Sequence, residues 1–347
     1  MAEYFFDLSK NEQYEASEFS REQIGRPAHL LEKDVWVVWT LRALFASQLA
    51  DDLTFKGGTS LSKAYRVIDR FSEDIDLTYD IRKLIPELIP DGGFLPPSRS
   101  QSNKWSAAVR RALPHWITAN VIPVIEKSLA EDGLEGVTLA LTGKDLDTVL
   151  LTYPALTGGG TGYVAPAVRL EFGGRATGEP HTAMAVQCDM DGRLDGISFP
   201  RATPVVMSLA RTFWEKATAV HVYCAQGRVR GERYSRHWHD LMSIANSAGF
   251  DSVLADVGVA SLVAQHKAWF YPEKDGDGRG IDYGPAVAGG LCLVPKDEAR
   301  DSLASDYLAM IDDSVLISGD VAFDELMARC QRIQDMVNAR MADVSPA

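Results

Sequence analysis

The chain is short of positive charge, of paired cysteines and of long apolar runs, and each shortage removes a class of protein. Lys and Arg number 35 against 48 Asp and Glu, a formal net charge of −13. A chain this acidic is not a general nucleic-acid binder, because the phosphate backbone attracts concentrated Lys and Arg. Any contact with RNA or DNA must come from a local basic patch. The four cysteines, Cys188, Cys224, Cys292 and Cys330, are far apart and form no CxxC pair. They read as free buried thiols of a reducing cytoplasm, not as a disulfide framework or a zinc site. No apolar run is long enough to span a bilayer, so no membrane partner is expected. Residues Met1 to Lys10 carry aromatics and acids but no basic n-region and no signal-peptide core, and a cytoplasmic location is expected. Internal repeats and low-complexity tracts are lacking as well.

What is there is the composition of an ordinary globular protein: 347 residues, 46% hydrophobic and 24% charged. That length allows two domains, or one domain with a large extension. Apolar residues at helical intervals predict a helix over 28–50. A short strand is expected at Leu53 to Phe55, a short helix at Ser60 to Ile68 and a second strand at Asp74 to Tyr79. Residues 88–103 have loop composition. A long helical stretch over 104–132 should bend at Pro114 and Pro123. Strands are expected at Val137 to Leu141, Thr148 to Tyr153, Val164 to Phe172 and Ala183 to Cys188. After about residue 203 the pattern turns helical: Val205 to Tyr223, Tyr234 to Ala248 with Gly249 as a stop, and two or three helices from Ala299 onward.

One stretch carries most of the chemistry. Phe55-Lys56-Gly57-Gly58-Thr59-Ser60 is followed, one short helix later, by Arg70-Phe71-Ser72-Glu73-Asp74-Ile75-Asp76-Leu77. On a strand, residues i and i+2 face the same side. Asp74 and Asp76 would therefore point at one spot while Ile75 and Leu77 enter a core. Alone, such a pair is an exposed acidic strand edge. Behind a glycine turn with hydroxyls it suits a site for two magnesium ions and a nucleoside triphosphate. The turn Gly57, Gly58, Thr59 and Ser60 also fits a plain helix start, which uses glycine and a capping hydroxyl. Beside the aspartates, cradling of the β- and γ-phosphates is the favoured reading, with helix N-terminal N–H groups facing the anion. It is not a Walker A loop, whose GxxxxGK[ST] spacing is missing. Gly158 to Gly162 could form a second phosphate loop, but no clear helix follows it, and a hairpin connection is favoured. His237 and His239 do not share a helix face, which disfavours a transition-metal site with Asp240. Arg228, Arg230, Arg233 and Arg236, interleaved with Tyr234, His237, Trp238 and His239, are either a solvated loop or a grip for the acceptor and the triphosphate.

The stretch Lys56 to Lys63 and the run Arg70 to Leu77 resemble motif I of the AbiEii-type nucleotidyltransferase toxins, of the DNA polymerase β-like superfamily. Glu32-Lys33-Asp34 is similar to the family's EKD start. Phe213-Trp214-Glu215-Lys216-Ala217 resembles its lysine-bearing helix, and His237-Trp238-His239-Asp240-Leu241 its later aspartate motif. His266 to Phe270, Leu291 to Pro295 and Asp306 to Met310 resemble its C-terminal half. The likeness spans about residues 30 to 340.

The fold this implies is α+β. A polymerase β-like mixed sheet with flanking helices would occupy residues 1–200, and a mainly helical domain 201–347. The implied activity is transfer of NMP from an NTP to an acceptor hydroxyl, with pyrophosphate released. Some members add nucleotides to the tRNA 3′ end and stop translation, as toxins of toxin–antitoxin or phage-defence pairs. A cognate antitoxin encoded nearby is then an expected partner, and two magnesium ions the expected cofactors. Asp74, Asp76, Lys216 and Asp240 match the family's site. Gly57, Gly58, Thr59, Ser60, Lys63 and Arg236 fall to the nucleotide. Lys216 would neutralise charge on the triphosphate. Without the family it reads as a solvated surface group. Asp240 would orient Lys216 or help activate the acceptor hydroxyl. Without the family it reads as a helix-face acid paired with an arginine. A third metal carboxylate on a neighbouring strand is common in the superfamily, and Glu171 is the candidate. Its other reading is an ion pair with Arg169 or Arg175. Alternative functions are transfer of NMP to a protein hydroxyl and a non-catalytic relative that binds nucleotide or partner.

Overall fold

The structure is a computed structural model that describes residues 2–89, 93–156, 165–227, 233–312 and 321–344. The chain forms two compact units. The first comprises Met1–Ala64, Ser72–Phe94 and Trp105–Met207, the second Tyr65–Phe71, Leu95–Lys104 and Ser208–Ala347. The division therefore follows Met207 instead of residue 200. Two short pieces of the N-terminal half also belong to the second unit.

The first unit is built on a seven-stranded mixed sheet. Its strands run in the order Thr138–Thr142, Thr148–Thr152, Ala167–Gly173, Asp74–Tyr79, Leu53–Lys56, Val205–Met207, His181–Ala183. Asp74–Tyr79 is central. It pairs antiparallel with Leu53–Lys56 and parallel with Ala167–Gly173. The alternation of the sequence is kept, and Ile75 and Leu77 are fully buried. The helix Ala28–Phe45 packs in the same unit and is buried on nearly every face, with Glu32, Lys33 and Asp34 among its buried residues. It ends at Phe45, earlier than the apolar periodicity suggested. The preceding helix, Lys10–Ile24, begins with a reciprocal capping box between Ser9 and Glu12 and ends at Gly25 in the left-handed conformation.

Two expectations change here. Val205 to Tyr223 is not one helix. Val205–Met207 is a strand, parallel to Leu53–Lys56 and antiparallel to His181–Ala183. The helix Leu209–Gln226 starts only after Ser208, whose hydroxyl accepts the Arg211 N–H at 3.2 Å. A three-residue apolar run gives no period, and only the open edge of Leu53–Lys56 selects strand. The segment 88–103 is not all loop either, because a helix occupies Arg99–Trp116. Pro114 lies inside the helix Arg99–Trp116, and Pro123 lies in the first turn of the helix Ile122–Glu131. A π-turn at Ile117–Val121 separates Arg99–Trp116 from Ile122–Glu131.

The second unit is helical: Leu209–Gln226, Ser235–Ala245, Phe250–Ala255, Val257–Phe270, Asp297–Asp312 and Phe323–Val344. Trp214 and Trp238 are fully buried, and the Trp238 indole donates to the Leu293 carbonyl at 2.7 Å. Gly249 does not stop the helix before it. It stands at φ −85° as the N-cap of Phe250–Ala255. Among the described residues, no helix is long and apolar enough to cross a membrane. The four cysteines are unbridged, Cys188 and Cys330 buried and Cys224 and Cys292 half-buried.

Candidate active site

The glycine turn and the aspartate strand meet inside the first unit. Lys56 ends one strand and Gly57 opens the helix Gly57–Lys63. Lys56 stands opposite Asp76 in the antiparallel register, so the turn begins beside that carboxylate. Gly57 adopts φ +79°, and a Cβ built there would overlap Asp76 Oδ2. Only glycine satisfies both conditions. The turn is thus pressed against one aspartate of the pair.

The hydroxyls of the turn are engaged by neighbouring protein groups. Thr59 Oγ1 bonds Ser72 Oγ at 2.9 Å and donates to the Asp74 carbonyl, and Ser60 Oγ donates to Gly57 O at 2.9 Å. Both side chains are fully buried. They tie the helix to the start of the aspartate strand, and any contact of this turn with an anion falls to backbone N–H groups.

The parallel register sets Asp74 opposite Arg169 and Asp76 opposite Glu171. With a period of two, all four residues lie on one face of the sheet. Arg169 Nη2 lies 3.0 Å from Glu171 Oε1, and its Nε 3.7 Å from Asp74 Oδ1. Glu171 is therefore both the neighbour of Asp76 and the ion-pair partner of Arg169. Asp74 Oδ1 is buried and accepts no hydrogen bond among the described residues. Burial first, then the charges of Glu73, Glu171 and Asp76, push the Asp74 carboxyl up to about 6, against the opposing pull of Arg169. Three carboxylates crowding a fourth favour a cation among them. Among the described residues no group of three or more His, Cys, Asp or Glu forms a ready metal cage. Two hard carboxylates with phosphate and water completing the shell is nonetheless what magnesium accepts. The orphaned Asp74 oxygen fits that use.

The same unit holds a buried polar network around the Glu32-Lys33-Asp34 run. Glu32, Lys33 and Asp34 are all buried on the helix Ala28–Phe45. Lys33 Nζ lies 2.6 Å from Glu73 Oε2, next to Asp74, and donates to Ala165 O at 3.2 Å. Asp34 Oδ1 lies 2.6 Å from Lys63 Nζ, and Asp34 Oδ2 accepts the Asp189 N–H at 2.7 Å. Lys63 also reaches Asp189 Oδ1 at 2.7 Å, and Arg26 pairs with the same carboxylate. Lys63, expected at the nucleotide, thus has its ammonium held between two carboxylates inside the unit. The reason is burial: an ammonium removed from water must be paired. Arg26 and Asp189 gave no signal in the sequence, being far apart and outside any motif.

Lys216 and Asp240 come together in the second unit. Lys216 Nζ lies 3.0 Å from Asp240 Oδ2. Asp240 is fully buried and also faces Arg70, which donates Nε to Oδ1 at 2.7 Å and Nη2 to Oδ2 at 2.8 Å. Burial raises the Asp240 carboxyl. The charges of Arg70 and Lys216 outweigh it and hold the carboxyl well below the usual carboxylate range. Such a group is a poor base. Asp240 thus contacts an arginine and Lys216 together.

The arginine stretch is only partly described, since Arg228 and Arg230 lie outside the described residues, as does Gly158 to Gly162. Arg236 is half-buried on Ser235–Ala245, whose start is fixed by Asp306 accepting the N–H groups of Arg233 and, at 2.7 Å, Ser235. Trp238 and His239 belong to the core and are not aromatic faces beside the arginines.

One unit thus holds a glycine turn locked against an aspartate of a strand pair, and the other a buried lysine–aspartate–arginine cluster. The family model described as nucleotidyl transferase AbiEii toxin, type IV TA system, matches residues 39–329, and the chain belongs to that family. It is a nucleotidyltransferase toxin of the type IV toxin–antitoxin class. Among solved structures, MenT4, the nucleotidyltransferase toxin Rv2826c from Mycobacterium tuberculosis H37Rv, is 17% identical, covering 97% of this chain and 91% of that chain at a TM-score of 0.47. A protein from H. pylori, described as a nucleotidyltransferase, is 13% identical, covering 91% of this chain and 97% of that chain at a TM-score of 0.41. A search of curated proteins finds no match.

Proposed function

We propose that the protein transfers NMP from an NTP to the 3′ end of tRNA and so stops translation. The carrying observation is Gly57. Its positive φ and its close approach to Asp76 bring the turn's backbone against one carboxylate of the pair. In the reaction the acceptor hydroxyl oxygen bonds to the α-phosphorus. The bond to the bridging oxygen breaks, pyrophosphate leaves, and the hydroxyl proton passes to solvent. Backbone N–H groups of Gly57, Gly58, Thr59 and Ser60 receive the β- and γ-phosphates. Asp74 and Asp76 would hold two magnesium ions, with Glu171 as third carboxylate once its pairing with Arg169 is shared. Bound there, the ions supply charge neutralisation of the attacking and leaving oxygens. Lys216 adds positive charge to the leaving phosphates. Asp240 fixes Lys216 and takes no proton, because both its oxygens already face cations.

The tRNA acceptor rests on the family resemblance and on the local run of Arg228, Arg230, Arg233 and Arg236 in a chain of net charge −13. Arg236 belongs to that grip in this reading. Family membership also supports an antitoxin partner and action in the cytoplasm. The test is incubation with labelled NTPs, magnesium and total tRNA. Label is expected on RNA with the wild type and not with Asp76→Ala. Equal labelling by the two proteins overturns the role of Asp76. Label on polypeptide instead of RNA makes a protein the acceptor. No transfer and no stabilisation by NTP with magnesium in thermal melts marks a non-catalytic relative.

A further inference from the structure

Arg70 opens the run that ends in the two aspartates, yet it works within the second unit. Asp240 carries one negative charge and faces two cations there, Arg70 at 2.7 and 2.8 Å and Lys216 at 3.0 Å. Lys216 and Asp240 by themselves form a neutral pair, which has no long-range attraction for an anion. With Arg70 the cluster carries one net positive charge. Arg211 and Glu215 pair with each other at 3.0 Å. His237 is neutral, because burial first and then Lys216 push its imidazole down to about 3. His239 Nδ1 lies 3.8 Å from Asp240 Oδ1. Lys267, which donates to the Glu215 carbonyl at 2.7 Å, adds positive charge nearby.

The geometry matters as much as the sum. Arg70 uses two prongs on the two carboxylate oxygens, and a planar fork of this kind stops the carboxylate from rotating. Lys216 therefore meets a fixed acceptor whose charge is already shared. We propose that Arg70 is a positioning residue for the transfer reaction: it fixes Asp240 and takes up its charge, so that Lys216 is held in place yet stays electrostatically available to a polyphosphate. The proposal rests on the assignment of Lys216 to the triphosphate.

The test uses the full chain, with inorganic tripolyphosphate binding by calorimetry as one readout and NTP-dependent labelling of total tRNA as the other. Arg70→Met leaves a neutral pair, and tripolyphosphate should bind about tenfold more weakly. Arg70→Met with Asp240→Asn restores one net positive charge, and binding should return to within about threefold of wild type. A merely structural arginine predicts the reverse, a double variant no better than the single. Asp240→Asn alone should bind tripolyphosphate about threefold more tightly while transferring more slowly, because charge is gained and position lost. This variant also decides the matter should Arg70→Met fail to fold. Unchanged binding by Arg70→Met, no recovery in the double variant, or no gain in Asp240→Asn overturns the proposal. Weaker binding by Lys216→Met with none by Arg70→Met removes Arg70 alone. Unchanged binding by Lys216→Met removes the reading of Lys216 and the proposal together.

Discussion

At the scale of single residues, the site turns on one contact, Gly57 against Asp76. A methyl group at position 57 meets two obstacles, a positive φ and the Asp76 carboxylate. Gly57→Ala is expected to cost about 1–3 kcal/mol in stability and to displace Asp76. Transfer activity should fall far more than that stability loss accounts for. Urea titration alongside the labelling assay checks this, and normal activity in the alanine variant would remove the turn from the site. The paired aspartates were readable because strand period depends on backbone alone. The fate of the hydroxyls was not. Thr59 and Ser60 looked like ligands for phosphate, but both turn inward to Asp74 and Gly57. Spacing says which face a side chain takes, not which partner reaches it first.

At the scale of elements, the helix Ala28–Phe45 backs the aspartate strand, and its buried acids give it a pH dependence. Burial pushes Glu32 from 4.5 to about 7, although the Leu156 N–H donated to it pulls the other way. Between these values the native state keeps a proton that the unfolded chain has lost. Stability from this group is complete below pH 4.5 and is lost as pH rises through about 7. Glu32→Gln keeps an acceptor for Leu156 and cannot ionise. It should match wild type in acid and exceed it above pH 7 by on the order of 3 kcal/mol. Denaturant midpoints across that range give the answer, and parallel curves for the two proteins would contradict it. Elements with a clear period, such as Asp74–Tyr79 and Thr148–Thr152, could be read from the chain. Val205–Met207 could not, because three apolar residues become a strand only when a neighbouring edge needs covering.

At the scale of the whole molecule, a net charge of −13 sets the terms for any RNA partner. General repulsion must be overcome by a few local phosphate contacts. If the four arginines between 228 and 236 supply them, the slope of log K against log salt should be about −3. Filter binding of tRNA over a range of KCl measures it. A slope near −10 would mean a broad basic surface, which this composition does not hold. The two compact units follow the change from mixed sheet to helices that composition marks near residue 203. The return of 65–71 and 95–104 to the second unit is a matter of tertiary packing and left no trace in local pattern.

The amino-acid order determined the local facts: a glycine turn, two carboxylates on one strand face, a lysine and an aspartate on later helices, and an acidic surface overall. These follow from backbone periods and from residue type, which need no neighbours. Which charges meet was decided only by folding. Lys63 went to Asp34 and Asp189, Glu171 to Arg169, and Asp240 to Arg70 as well as Lys216. A buried charge must find a partner wherever the fold brings one within reach, and that reach spans 170 residues between Arg70 and Asp240.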